Sequence, residues 1–471
     1  MKHTTTIRDL LREHLEHNHL TLEGFSRITG INRGTLSSIL NTHCPKPLSV
    51  GQLDRITGGM GYEEGALYEM FIDECFNQAA PHWRRLRPFL MRCASLGKKE
   101  CIRKVLGQLL DDLAHITGIY ETAGLMYEEG YFAEASILYE CVTESEKYSH
   151  SERLAMSQYR MFLIARRFQD RPTDAAIRFI PYRFRLPDDC TMDGLWNLAE
   201  QFAVAGRWED AYRYAVELGE LALALSRTGK GSKEREMIAQ TDENVRIPAV
   251  YYARSQLLKA SALVELGDLM GARECVAVCK DMSRIAGFED RAASAVRMLE
   301  VIAEGKLLEL DLLAGCSDVL PSYVQFLQRH PREAEEGVAN MLRAAVEYHY
   351  NIDEELSLFA QKIHGEWMVI HRGPFPEKSS RARLYYYYAS YLIAGDRFKE
   401  GFEALLHSVR FARESGMKDI LLQCMFLYEE HRDKAGSMQN RFKNTYASFR
   451  REAENVYSDG SDGALPVLQN G

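Results

Sequence analysis

Apolar residues recur at helical spacing from the start of the chain. Ile7, Leu10, Leu11 and Leu15 fall on one helix face. Thr21 is placed to cap a second helix carrying Leu22, Phe25 and Ile28, and Gly30 can supply the left-handed residue that ends it. Asn32 then caps a third helix with Leu36, Ile39 and Leu40. The stretch CPKPLS reads as a rigid loop. Ser49 and Gln52 form a capping box for a fourth helix holding Leu53 and Ile56. GGMG ends that helix, and a fifth follows through Leu67, Met70 and Phe71.

From about residue 80 to 455 nearly every segment reads as an amphipathic helix of roughly 12–18 residues with short polar turns. Alternation of β-branched residues is scarce, so no sheet is predicted. The prolines fall in apparent connections: 170–189, 320–324 and 372–380. Residues 227–246 read as a mobile polar loop, and 456–471 as a disordered tail. The predicted organisation is 1–72, 80–455 and the tail.

Three segments share one spacing: a glycine, a large apolar residue two later and an alanine five later. They are Gly130/Phe132/Ala135, Gly206/Trp208/Ala211 and Gly267/Leu269/Ala272. Glycine closes the turn of a helical hairpin, the alanine lets its helices approach, and the large residue plugs the gap. This resembles the tetratricopeptide repeat. Residues 385–406 look like a fourth copy, with one extra residue in the turn and Gly401 in the alanine place. The spacings between copies are not multiples of the roughly 34 residues of that family, so intervening repeats are degenerate or lengthened. The resemblance implies an all-α fold, a right-handed helical solenoid with a concave groove. An irregular helical solenoid of another type remains the alternative, and it too has such a groove.

Composition narrows the function. The net charge is −9, and residues 1–75 hold seven Lys/Arg against ten Asp/Glu. That balance argues against strong nonspecific binding to nucleic acid, which depends on phosphate neutralisation. No apolar run approaches the roughly 18 residues of a membrane span, and the N-terminus has no apolar signal core, so a cytoplasmic protein without membrane partners is expected. Ten scattered cysteines without a CxxC pair point to a reducing compartment and away from zinc; Cys275 and Cys279 read as small buried residues. No HExxH, GxSxG, P-loop or GxGxxG occurs. His14, His17 and His19 read as a solvated face, and the two histidines of HGEWMVIH (364–371) have no third ligand in view. No enzyme activity, metal or cofactor is expected.

LTLEGFSRITGINRGTLSSILN (20–41) is similar, position for position, to the helix-turn-helix of the Xre/Cro-type repressor family, and residues 47–67 resemble its fourth and fifth helices. The resemblance implies a recognition helix starting at Asn32. Arg33 would reach base edges, where arginine donates two hydrogen bonds to guanine, and Ser38 is a further candidate. Gly34 occupies another such place without a side chain. Thr21, Asn32, Ser37 and Asn41 would hydrogen-bond phosphates, and Thr35 completes the expected DNA-binding set. Leu22 stands where the family often has glutamine, so that contact is absent.

An Xre-type N-terminus followed by a long tetratricopeptide-like array resembles the RRNPP-type peptide-pheromone-sensing transcription regulators of Gram-positive bacteria. The resemblance implies a homodimer on a palindromic operator in double-stranded DNA, with a short signalling peptide bound in the concave groove. It also implies asparagines facing the peptide backbone. Counted from the repeat glycines, the inner face holds Tyr120 and Tyr127, then Trp196 and Glu200, then Arg254, Leu257 and Glu265. Asn197 adjoins it, and Asn340, Tyr348 and Asn351 would line a later repeat. The glutamates suggest a basic group on the ligand. The tyrosine run 385–388 covers all sides of its helix, so at least half of it belongs to the core. The competing reading is a repeat scaffold that sequesters another regulator, its helix-turn-helix serving dimerisation only.

Overall fold

The structure, a computed structural model, describes residues 6–43, 45–77, 81–110, 112–149, 151–168, 172–228, 247–280, 293–360, 374–445 and 447. Among these residues every regular element is helical. Most of the predicted loop 227–246, the pair of histidines in 364–371 and the predicted tail lie outside them. The chain forms two compact units, residues 1–165 with 177–186 and residues 166–176 with 187–471.

The first unit begins with α1 (Ile7–His17), α2 (Leu22–Thr29), α3 (Arg33–Ile39), α4 (Val50–Gly59) and α5 (Tyr68–Asn77). It continues through α6 (Trp83–Ser95), α7 (Lys99–Leu109), α8 (Ile116–Glu128), α9 (Phe132–Ser145) and most of α10 (Glu152–Phe168). Local chemistry sets the boundaries. The Thr21 hydroxyl accepts from Gly24 N–H at 3.1 Å, and the Asn32 amide oxygen accepts from Gly34 N–H at 2.8 Å. Ser49 and Gln52 close the expected reciprocal box. Gly30 ends α2 in the left-handed conformation, φ +65°. Phe25, Leu36, Ile39, Leu53 and Ile56 are fully buried, each worth about 1.5–3 kcal/mol relative to exposure. One buried cluster runs from Ile7 to Ile164, so residues 1–72 share their core with α6–α9.

Two positions depart from the apolar pattern. Ile28 is 56% exposed, and Thr29 takes the buried place, its hydroxyl donating to Phe25 O at 2.9 Å. Arg8, which the pattern leaves polar and outside, is buried on α1.

The second unit contains α12 (Asp188–Val204), α13 (Trp208–Thr228), α14 (Pro248–Glu265), α15 (Leu269–Lys280), α16 (Ala293–Leu313), α17 (Leu320–Arg329) and α18 (Ala334–Tyr348). The short α19 (Asp353–Ser357) precedes α20 (Pro374–Ala394), α21 (Phe398–Ser415) and α22 (Lys418–Glu430). Helices pack against their sequence neighbours from α12 to α17, and again from α20 to α22. This is the repeat-like helical layout that the glycine–alanine spacing predicts. In both units Gly130, Gly206 and Gly267 take φ of +85°, +72° and +85°, and Ala135, Ala211 and Ala272 are wholly buried. The fourth turn differs. Its extra residue moves the left-handed position from Gly395 to Asp396, φ +60°. Gly401 fills the alanine place because even a methyl there would lie 2.6 Å from Ile393 Cγ1.

Of the prolines expected in connections, Pro187 does lie in the link before α12, but others begin helices. Pro172, Pro248 and Pro374 are the first residues of α11 (Pro172–Phe179), α14 and α20, and Pro321 lies in the first turn of α17. The first helical turn has no intrahelical acceptor for its N–H groups, so proline starts a helix there without losing a bond. Helices also run longer than expected: α13, α16 and α20 each have 21 residues.

Candidate functional site

Two regions bring the sequence-predicted residues together, one in each unit. In the first, Asn32, Arg33, Gly34, Ser37, Ser38 and Asn41 are exposed along α3 and just beyond it, with Thr35 half-buried. Several already have local partners. Thr21 and Asn32 cap helices, the Ser38 hydroxyl donates to Gly34 O at 2.8 Å, and the Asn41 side chain accepts from His43 N–H at 2.9 Å. Arg33 has no ion pair among the described residues, so its five donors face solvent.

Sequence reasoning missed Lys46. Its backbone N–H donates to Ser38 O at 2.9 Å, which sets an exposed cation beside the exposed side of α3. The signal was present as a lysine between two prolines next to the motif. A buried clamp fixes this arrangement. Arg8 Nε donates to Ile39 O at 2.9 Å, its Nη2 to Lys46 O at 3.2 Å, and the guanidinium grips Glu74. Arg85 on α6 donates to Leu48 O at 3.1 Å and reaches Glu74 at 3.4 Å. The end of α3 and the loop after it are thus tied to α1, α5 and α6.

In the second unit Trp196, Asn197, Glu200 and Arg254 meet. Arg254 lies over the Trp196 ring, 5.4 Å from its centroid. Arg166 donates to Asn197 Oδ1 and, at 3.1 Å, to Glu200 Oε2. The Asn197 amide donates to Asp193 O at 2.7 Å, and the Tyr251 hydroxyl donates to Asp193 Oδ1 at 3.0 Å. Further along α14, Glu265 accepts from Arg383 Nη1 at 3.1 Å and faces Arg343 Nη1 at 3.5 Å. Arg383 lies over Trp208, 5.3 Å from the ring centroid.

These pairings alter the electrostatic expectation. Glu200 and Glu265 are not bare carboxylates awaiting a basic ligand, because arginines already neutralise them. Tyr348 and Asn351 also have partners within the fold. The Tyr348 hydroxyl donates to Leu313 O at 3.0 Å, and Asn351 accepts from Asp353 N–H at 3.0 Å, so both secure the turn after α18. Asn340 is half-buried on α18. Tyr120 and Tyr127 belong to the first unit, packed edge-on against Tyr139 and Phe132. Tyr385 to Tyr388 are all half-buried, spread over two packed cores.

Among the described residues no three His, Cys, Asp or Glu side chains form a metal-binding group, and no helix is long and apolar enough to cross a membrane. The thiol pair Cys275 and Cys279 is buried, and burial pushes the Cys279 thiol up to about 12.

No family model and no curated protein matches the chain. Among solved structures it is similar to a circular tandem repeat protein with novel repeat topology and enhanced subunit contact surfaces, at 14% identity and a TM-score of 0.19, covering 96% of this chain and 90% of that one. At that score the likeness adds nothing to the helices and turns of the chain itself.

Proposed function

We propose that the chain is a DNA-binding transcription regulator of the helix-turn-helix type whose activity is switched by a short peptide held in its helical repeats. The observation that carries the reading is the environment of Arg33. It is an exposed, unpaired guanidinium among the described residues, at the start of a short capped helix. Exposed hydroxyls and amides flank it, and the cation Lys46 lies beside them. Arginine so presented reads a guanine edge, while Lys46 and the polar groups hold phosphates. One copy offers few cations, so useful affinity requires a cytoplasmic homodimer on a palindrome. The peptide would lie along α12 and α14, where Trp196, Asn197, Glu200 and Arg254 converge. Peptide binding favours one arrangement of the repeats and so alters the spacing of the two recognition helices.

Full-length protein is incubated with sheared genomic DNA at moderate salt and the retained duplexes are sequenced. One enriched palindromic motif, lost in Arg33→Ala, is expected; no preferred duplex overturns the reading. The scaffold reading is favoured by one observation, the 56% exposure of Ile28 on α2, which suits a protein contact better than DNA. Retention of another regulator by a protein that selects no duplex would support that alternative.

A further inference from the structure

Arg254 and Glu265 lie eleven positions apart on α14, three full turns, and so share a face about 16 Å long. An extended peptide covers that distance in about five residues. Arg166 and Arg254 stand at one end, Arg343 and Arg383 at the other. Asp193 is held by Tyr251 and Glu200 by Arg166, which leaves Glu265 alone between two guanidiniums. Arg343 Nη1 is buried, makes no hydrogen bond, and has Glu265 Oε2 at 3.5 Å as its ion-pair partner. At that distance the carboxylate satisfies the charge of Arg343 but leaves its hydrogen-bonding capacity under-used. Trp208 covers Arg383 from one side, limiting its access to water.

We propose that Arg343 and Arg383 form a carboxylate-binding subsite, and that the unit therefore selects acidic peptides. The inference rests on the peptide-binding reading above and names the chemistry of its ligand. Two guanidiniums and Glu265 carry a net charge of +1. A ligand carboxylate accepting from the exposed part of the Arg343 guanidinium, whose side chain is 25% exposed, brings the group to neutrality, whereas an ammonium there would double its charge. The planar donor pairs of arginine match the two oxygens of a carboxylate. The carboxylate comes from an acidic side chain or from the peptide C-terminus.

Full-length protein is dialysed against hexapeptide pools in which one position is Glu, Gln or Lys and the others are drawn from Ala, Val, Leu, Phe, Ser and Gly. Each pool is made with a free and with an amidated C-terminus, and retained peptides are counted by mass spectrometry. Carboxylate-bearing pools should be retained at least about tenfold over the Gln amide pool. Preference for the Glu amide pool assigns a side chain, and preference for the free Gln pool the chain end. Arg343→Gln with Arg383→Gln should erase the preference. Glu265→Gln, which removes the internal competitor, should strengthen it even if the double variant fails to fold. Retention regardless of charge, or a weaker preference in Glu265→Gln, overturns the carboxylate subsite and leaves peptide binding standing. Retention of no pool overturns the peptide-binding reading itself.

Discussion

Arg8 and Glu74, 66 residues apart, form a buried two-pronged ion pair, with Arg8 Nη1 and Nη2 donating to the two carboxylate oxygens at 2.9 and 3.1 Å. Glu74 is also the carboxylate of Arg85, so one anion serves two cations from α1 and α6. Removing that anion strands a buried guanidinium. Glu74→Gln should destabilise the fold by about 3–5 kcal/mol in urea titration. A loss below 1 kcal/mol would mean that the cluster is not buried in solution.

Arg33 and Lys46 should separate by the kind of loss they cause. Arg33→Ala should weaken the preferred duplex by about 1–3 kcal/mol and relax one operator position. Lys46→Ala should weaken all duplexes alike and lower the slope of log affinity against log salt by about 1. Binding isotherms at four salt concentrations distinguish them, and equal effects of both on an unrelated duplex would argue against base reading by Arg33.

Gly401→Ala should destabilise despite restoring the repeat consensus. Its methyl meets Ile393 Cγ1 at 2.6 Å and the Ala389 carbonyl at 3.3 Å. Overpacking of that kind costs about 1–3 kcal/mol. A rise in thermal midpoint on this substitution would show that α20 and α21 have room to separate.

Glu146 gives a pH-dependent contribution of known sign. Burial raises its pKa, but hydrogen bonds from Arg153 and Ser151 together with the Arg153 charge outweigh that and hold it below the ordinary carboxylate value. The resulting stabilisation is fully present above the unfolded-state value of 4.5 and disappears as pH falls through the lower folded value. Melting curves of wild type and Glu146→Gln should therefore differ at pH 7 and converge towards pH 3. A gap that widens in acid would reverse the assignment.

The buried thiols should stay silent in mild alkali. Burial pushes Cys141 up to about 11 and Cys424 up to about 12, so little thiolate forms at pH 9. Cys316 is exposed. Iodoacetamide followed by peptide mapping should label Cys316 well before Cys141 or Cys424. Simultaneous labelling would indicate that the helices open.

Much of the helical layout was legible because it is local. Thr21, Asn32 and the Ser49–Gln52 box act within three residues, and a repeat turn is set by its own glycine and alanine. Features made by distant partners were not legible. Arg8 reads as a surface residue until Glu74 is placed beside it. Glu265 reads as a free acid until Arg343 and Arg383 arrive from 78 and 118 positions away. Pro172, Pro321 and Pro374 open helices instead of lying in connections for another reason: one residue type suits both loops and first turns of helices. Of the candidate site residues, those on α12 and α14 were suggested by periodicity. Lys46 and the arginines opposing α14 were not, because no period connects them to the motif.

The turn at Gly206 abuts the first turn of α22, where a methyl on Gly206 would sit 3.1 Å from Asp419 Oδ2. An open array touches only its neighbours and tolerates the gain or loss of a repeat. Here Gly206 and Trp208 meet Asp419 and Arg383, so the helices between them bridge a gap of set width. Inserting or deleting a hairpin within that stretch would part the two ends. A change in repeat number should therefore be tolerated only outside that stretch, and a change within it only as a substitution or a change of loop length.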